Sequence, residues 1–134
     1  MIYLDSCALI KFITQEPETD ALRAWRQNLP GETELLTSEL SQLEITRTLL
    51  RAGVDHQRVP YFAGQALIGI YLIDLTSMVL SRAMSYRLPT LGSLDAIHLA
   101  SADPFRTDLT NLVTYDRELA KAASDLGFPT AAPS

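Results

Sequence analysis

Short apolar runs alternate along the chain with longer segments in which apolar residues recur every three or four positions. The short runs are typical of buried strands, and the longer segments are typical of amphipathic helices. Parallel strands need long crossover connections, which such helices provide. The pattern therefore predicts an α/β fold with a mostly parallel central sheet of 4–5 strands flanked by helices. The predicted strands are residues 1–4, 34–37, 70–75 and 112–115.

The ends of the predicted helices carry capping residues. Ser38, Thr76 and Ser93 each stand just before a helical segment, where a hydroxyl can accept a hydrogen bond from the first turn. Residues 129–134 follow the last helical segment and are expected to form a loose tail. The predicted helices are residues 8–13, 18–29, 38–51, 55–69, 76–86, 94–102 and 117–126.

The composition is that of a folded protein. Apolar residues make up 47% of the 134 positions and charged residues 20%, which excludes a disordered tail, a collagen and a coiled coil. The length predicts a single domain, residues 1–134. The lone Cys7 cannot form an internal disulfide, and the longest uncharged apolar run, residues 66–73, is too short to cross a bilayer. We therefore expect a soluble, cytoplasmic protein.

The charge balance is unusual for a protein that binds nucleic acid. Eleven basic residues stand against sixteen acidic ones, which gives a net charge of −5. Nucleic-acid binding domains are usually basic. Any such function must therefore explain where the carboxylates lie. If several converge on bound metal ions, the net charge overstates the negative field that a phosphate meets.

Two acidic residues stand where an α/β sheet binds its ligands. Asp5 and Asp116 each follow a predicted strand, and ligands of parallel sheets bind beyond the carboxyl ends of the strands. Glu44 borders the apolar stripe of its helix, and Asp95 shares a helix face with Leu99. Taken singly, each acid is also explained by a helix cap, a helix dipole or a solvated face.

Together, the four acids indicate a metal site. Carboxylates on buried faces are unfavourable unless they are paired or bound to metal. Hard oxygen ligands without a cysteine or histidine cluster favour Mg²⁺ or Mn²⁺ over zinc. Such ions can position a water and stabilise a phosphoryl transition state.

Four segments then resemble, in order, the acidic motifs of PIN-domain proteins. They are residues 3–11 (YLDSCALIK), 41–44 (SQLE), 94–100 (LDAIHLA) and 113–120 (VTYDRELA). The single-domain length is similar to that of VapC toxins from VapBC toxin–antitoxin pairs. The resemblance implies a PIN-like three-layer fold and a Mg²⁺- or Mn²⁺-dependent endoribonuclease toxin. It also implies an RNA substrate, a VapB-like antitoxin partner and a homodimer.

The same resemblance assigns roles to individual residues. Ser6 and Thr114 match hydroxyl positions that support the acidic cluster, whereas Cys7 departs from the family, in which a second small hydroxyl residue is common there. Two of the acids are expected to bind metal directly, Asp5 and Asp95. The catalytic and metal-binding cluster implied by the family is Asp5, Glu44, Asp95 and Asp116.

Four basic residues flank the motifs and are candidates for RNA phosphate contacts: Lys11, Arg47, Arg51 and Arg117. Ion pairing with nearby carboxylates explains them equally well. His98 is expected to be a packed or partly exposed helix residue rather than a catalytic one. Helices 18–29 and 38–51 carry more apolar surface than a small domain readily covers, so the partner is expected there.

Two other acid-bearing folds fail on particular residues. A response-regulator receiver needs an acceptor aspartate that ends the third strand and a lysine after the last, whereas that strand ends Asp74-Leu75-Thr76 and Lys121 is too far along. A haloacid-dehalogenase-type phosphatase needs a second aspartate where Cys7 stands. The remaining alternative is a catalytically silent PIN-fold binding module that acts as a scaffold for a protein partner.

Overall fold

The computed structural model describes residues 1–134 and contains a five-stranded sheet in which every neighbouring pair of strands is parallel. The order across the sheet is β3-β2-β1-β4-β5. The predicted α/β fold with a mostly parallel sheet is confirmed. The strands are β1 (Ile2–Leu4), β2 (Leu35–Ser38), β3 (Ile70–Ile73), β4 (Asn111–Val113) and β5 (Thr130–Ala131).

Seven helices connect and cover the strands. Thr76 caps its helix as predicted, because its hydroxyl accepts a hydrogen bond from Val79 N at 3.2 Å. A 3₁₀ segment, Asp103–Asp108, was not predicted. The helices are α1 (Ser6–Ile10), α2 (Thr19–Gln27), α3 (Leu40–Arg51), α4 (Val59–Ala66), α5 (Ser77–Ser85), α6 (Ser93–Ala102) and α7 (Arg117–Asp125).

Two of the predicted helix caps and the predicted loose tail differ from the structure. Ser38 is the last residue of β2 rather than a helix cap, although its Oγ still accepts a hydrogen bond from Leu40 N at 3.0 Å. Ser93 lies inside α6, which Gly92 precedes as the capping position. The expected loose tail contains β5, because Thr114 N donates to Ala131 O at 3.2 Å and so extends the sheet past Pro129.

Alternating side chains of β1 face two apolar cores. Ile2 and Leu4 pack with residues of α1 to α4, whereas Tyr3 packs on the opposite face with residues of α6 and α7. The result is three layers, with helices on both faces of the sheet. The buried helix residues are Leu9, Leu22, Ile45, Leu49 and Val59 on one face, and Leu99, Leu119 and Ala123 on the other.

The order in which the chain adds strands to the sheet reverses at β1. The strands β2 and β3 lie on one side of β1, and β4 and β5 lie on the other. A parallel sheet opens a crevice at such a reversal, beyond the carboxyl ends of the strands. In this chain the crevice lies where β1 runs into Asp5 and β4 runs into Thr114.

The exposed apolar surface is not where the sequence predicted it. In α2, Leu22 is fully buried and Trp25 packs against the core, and in α3 Leu43 is the one large apolar side chain that remains exposed. No helix of the chain is long and apolar enough to span a membrane. Most of the exposed apolar side chains lie in and around α4, β3 and α5: Tyr61, Ile68, Tyr71, Leu75, Met78, Leu80 and Met84.

The packing of α3 gives a direct test of this core. Ile45→Ala is expected to lower the free energy of unfolding by about 2–5 kcal/mol, because Ile45 is fully buried in the larger core. Leu43→Ala on the same helix is the matched control and is expected to change it by less than about 0.5 kcal/mol. Urea denaturation measures both. Equal losses in the two variants would contradict this assignment of the core-facing side of α3.

Candidate active site

The Asp5 carboxylate lies at the centre of the crevice and is held by its neighbours. It is 5% exposed and caps α1, because its Oδ1 accepts a hydrogen bond from Ser6 N at 2.7 Å. Its Oδ2 accepts a hydrogen bond from Thr114 Oγ1 at 2.8 Å. Charge-assisted hydrogen bonds of this kind orient a buried carboxylate and offset the loss of its hydration.

The two predicted supporting hydroxyls lie next to Asp5. Ser6 Oγ is 3.4 Å from Asp5 Oδ1, and Thr114 Oγ1 also accepts a hydrogen bond from Asp116 N at 3.1 Å. Cys7 Sγ donates to Asp5 Oδ2 at 3.1 Å, and burial together with the charge of Asp5 raises the pKa of the thiol to about 12. Cys7 is therefore a neutral donor at physiological pH.

Glu44 reaches the same crevice from α3 and meets a histidine of α6. His98 Nε2 lies 2.6 Å from Glu44 Oε1 and 3.3 Å from Asp5 Oδ1, and the ring is 1% exposed. Burial lowers the pKa of His98, but the hydrogen bond to Glu44 and the charge of Asp5 outweigh burial and raise it. The histidine is packed, as expected, but it also belongs to the acidic cluster, which the sequence analysis did not predict.

A sequence signal for His98 was present. His98 follows Asp95 by three positions on α6, so both side chains lie on the same helix face. If Asp95 faces the crevice, His98 must face it too. Its contact with Glu44 could not be predicted, because that contact depends on how α3 and α6 lie across the sheet.

Asp95 and Asp116 complete the cluster from the first turn of α6 and the start of α7. Burial raises the pKa of Asp95 to about 6, and repulsion from Asp116 and Asp5 adds to the increase. Asp116 is exposed and caps α7, because its Oδ1 accepts hydrogen bonds from Glu118 N at 2.8 Å and Leu119 N at 3.2 Å. The capping interpretation of Asp116 is thus correct, and it is compatible with a place in the cluster.

Of the four basic residues expected to contact RNA phosphates, one is held in ion pairs and three are not. Lys11 is 7% exposed, and its Nζ lies 3.0 Å from Glu18 and 3.3 Å from Glu16. It also lies over the ring of Tyr115, 4.7 Å from the ring centre. Lys11 therefore ties α1 to neighbouring segments in this structure, and the expected phosphate contact is not available to it. The three that are exposed and without an ion pair are Arg47, Arg51 and Arg117.

The residues present fit a hard divalent cation. Carboxylate oxygens of Asp5 and Glu44 lie within 4.8 Å of each other and of a ring nitrogen of His98, and the raised pKa of Asp95 reflects its closeness to other carboxylates. Oxygen donors predominate, and the mutual repulsion of the carboxylates is relieved by a bound cation. A parallel α/β fold with this cluster in its crevice has the features of a metal-dependent hydrolase.

Comparison with known proteins identifies the family. Residues 2–125 match the PIN domain, and the chain belongs to the PIN-domain family. The chain is 40% identical over 136 residues to ribonuclease VapC47 of Mycobacterium tuberculosis strain CDC 1551 / Oshkosh, covering 99% of this chain and 97% of that protein. It is 39% identical over 137 residues to ribonuclease VapC35 of the same organism, with the same coverage.

Solved structures agree with the fold. The crystal structure of Mycobacterium tuberculosis VapC20, a sarcin-ricin loop cleaving toxin, matches with a TM-score of 0.74 at 15% identity, covering 99% of this chain and 100% of that chain. The structure of VapBC2 from Rickettsia felis bound to a DNA fragment from their promoter matches with a TM-score of 0.75 at 15% identity and full coverage of both chains. The predicted PIN-like three-layer fold is confirmed.

The raised pKa of Asp95 makes stability depend on pH. As pH falls through about 6, Asp95 takes up a proton in the folded protein before it does so in the unfolded chain, so stability rises on acidification. We expect Asp95→Asn to raise the melting temperature of the EDTA-treated protein at pH 8. We also expect it to reduce the rise in melting temperature that acidification from pH 8 to 5.5 causes. Thermal denaturation of both proteins at the two pH values measures this.

Asp20→Asn is the control for this experiment, because it removes one exposed carboxylate from α2, outside the cluster. It is expected to leave unchanged the rise in melting temperature between pH 8 and pH 5.5. A melting temperature that Asp95→Asn does not raise at pH 8 would contradict the repulsive environment assigned to Asp95.

Proposed function

We propose that this PIN-domain protein is a metal-dependent endoribonuclease toxin. The observation that carries the proposal is the convergence of Asp5, Glu44, Asp95 and Asp116 on the crevice between β1 and β4. Curated relatives that match along nearly their whole length are named ribonucleases. The presence of all four acids favours an enzyme over a silent binding module, in which nothing would require them to stay clustered.

The cluster supplies the ligands for Mg²⁺ or Mn²⁺. We assign Asp5 and Asp95 as direct ligands, with Glu44 and Asp116 completing the site. When bound, such an ion stabilises the charge that develops on a phosphodiester and activates a water for its hydrolysis. This assignment uses the hard oxygen donors that both ions prefer.

The surrounding residues prepare these carboxylates for that role. Hydrogen bonds from Ser6 N and Thr114 Oγ1 hold Asp5 in one orientation before any ligand arrives. Asp116 uses Oδ1 to cap α7, and its Oδ2 accepts no hydrogen bond from the protein. Preorganised groups of this kind need not reorient during the reaction.

Substrate binding is assigned to the free basic side chains. Arg47 and Arg51 lie on α3, one and two turns after Glu44, and Arg117 follows Asp116 directly. We propose that they contact phosphates of a single-stranded RNA. Because the protein carries a net charge of −5, RNA binding should depend on the bound cation more than on bulk electrostatics.

We also propose a VapB-like antitoxin partner and a homodimer. The antitoxin is supported by the structural likeness to toxin–antitoxin complexes, including VapBC2 of Rickettsia felis. The homodimer is supported by the exposed apolar side chains around α4, β3 and α5, among them Tyr61, Tyr71 and Met84. Clustered apolar side chains at a surface are typical of protein interfaces.

Removal of one carboxylate tests the proposed activity. Asp116→Asn is expected to lower the rate of single-stranded RNA cleavage in Mg²⁺ or Mn²⁺ by roughly 100-fold, because a carboxylate that completes the metal site is lost. The fold should survive, since asparagine caps a helix as well as aspartate does. Cleavage kinetics and circular dichroism measure the two effects.

Asp125→Asn at the other end of α7 is the control for the same charge change. It is expected to cleave RNA at the wild-type rate. Wild-type activity in Asp116→Asn would mean that Asp116 serves only as a helix cap.

Charge reversal of Arg117 tests the RNA-binding assignment. In Ca²⁺, which occupies oxygen-rich sites, we expect Arg117→Glu to weaken binding similarly for RNAs of different sequence, as a backbone contact should. Fluorescence anisotropy measures the affinity, with EDTA as the condition of weak binding. Arg58→Glu makes the same change of charge at the start of α4 and is expected to have a smaller effect.

Tight RNA binding by wild-type protein in EDTA would contradict a metal-dependent binding surface. Equal weakening by Arg117→Glu and Arg58→Glu would indicate a general effect of charge rather than a contact at Arg117.

A further inference from the structure

A buried line of hydrogen bonds runs from the sheet to the acidic cluster. Ser38 N donates to Tyr3 Oη at 3.2 Å, Tyr3 Oη lies 2.6 Å from His98 Nδ1, and His98 Nε2 lies 2.6 Å from Glu44 Oε1. Tyr3 is fully buried and His98 is 1% exposed. Neither residue is a metal ligand in the proposed function, but the line of contacts joins both of them to Glu44, which belongs to the proposed metal site.

One arrangement of the Tyr3 and His98 hydrogen atoms gives every contact in this line a donor and an acceptor. Tyr3 Oη accepts a hydrogen bond from Ser38 N and can donate its own hydroxyl hydrogen to His98 Nδ1. A neutral imidazole whose Nδ1 accepts must carry its hydrogen on Nε2. That hydrogen is directed to Glu44 Oε1, 2.6 Å from Nε2, and Asp5 Oδ1 lies 3.3 Å from the same nitrogen.

The fold holds this arrangement in place. Tyr3 faces α6 because the alternation of β1 turns it away from the core that contains Ile2 and Leu4. Its ring meets that of His98 edge to face, with the ring centres 5.9 Å apart. The histidine can therefore neither turn to solvent nor exchange its two nitrogens without disrupting the core on that face.

We propose that His98 is a positioning residue whose Nε2–H holds the carboxylate of Glu44 in place for the metal, and that Tyr3 fixes the histidine in this tautomer. This inference rests on the proposed function of the cluster. It assigns His98 outside the ligand set, because a ring nitrogen that donates a hydrogen has no lone pair for a cation. Partners of this kind typically alter metal affinity by 10- to 100-fold.

The protonation of Nε2 can be observed directly. Long-range ¹H–¹⁵N correlation spectra of the wild-type protein, recorded with saturating Mg²⁺, should show a hydrogen on His98 Nε2. The exposed His56 is the other histidine of the chain and serves as an internal reference. A His98 ring that carries hydrogen on Nδ1 alone would overturn the proposal and indicate metal ligation by Nε2.

Metal affinity tests the positioning role. Mn²⁺ titration by calorimetry should give a dissociation constant about 10-fold higher for His98→Leu than for wild type. His98→Gln should stay within about threefold, because its amide nitrogen can donate in place of Nε2–H. Tyr3→Phe keeps the ring but leaves the tautomer unfixed, and it should weaken binding by roughly 3- to 10-fold. His56→Leu should match wild type.

The outcomes separate this inference from the function on which it rests. Absence of Mn²⁺ binding by the wild-type protein overturns the proposed function and this inference with it. Wild-type affinity in His98→Leu, or equal losses in His98→Gln and His98→Leu, overturns the positioning role alone. Wild-type affinity in Tyr3→Phe overturns the role of Tyr3. Should His98→Leu fail to fold by circular dichroism, the spectra of the wild-type protein decide the question.

Discussion

The burial of one ionised carboxylate constrains the rest of this structure. Asp5 is 5% exposed at the end of the central strand, and an isolated charge in that position would be strongly destabilising. The chain offsets this by placing donors around Asp5, which are Ser6 N and Cys7 Sγ of α1 and Thr114 Oγ1 beyond β4. Replacing any of these donors would leave part of the charge uncompensated, so the crevice and the fold around it are coupled.

The topology explains why distant segments can meet at this carboxylate. β1 is central, with β2 and β4 as its neighbours, so the residues after these strands share one edge of the sheet. β2 leads into α3 and Glu44, and the chain beyond β4 brings Thr114 and Asp116 to Asp5. α6 contributes Asp95 and His98 from its position against the sheet. The acids are far apart in sequence but adjacent in space because the strands run parallel.

Local patterns could predict most of the fold, but not the contacts among the four acids and their neighbours. Strand length, helical period and helix caps depend on residues that are neighbours in sequence. Most strands and helices, and the caps at Thr76 and Asp116, therefore lie close to their predicted positions. β5 contains only two residues and follows Pro129, so its pairing with β4 carries no local signal. Likewise, the burial of Lys11 between Glu16 and Glu18 depends on how the segment after α1 folds back.

The cluster itself is a local conflict between stability and function. Asp95 has a raised pKa because burial and two neighbouring carboxylates disfavour its charge, whereas His98 has a raised pKa because Glu44 and Asp5 favour its charge. Without a cation, hydrogen-bond donors such as His98 Nε2–H and Thr114 Oγ1 offset the charge of the acids. A divalent ion would take over that task and stabilise the folded state through binding. The same carboxylate excess that makes the protein acidic thus makes its proposed site responsive to metal.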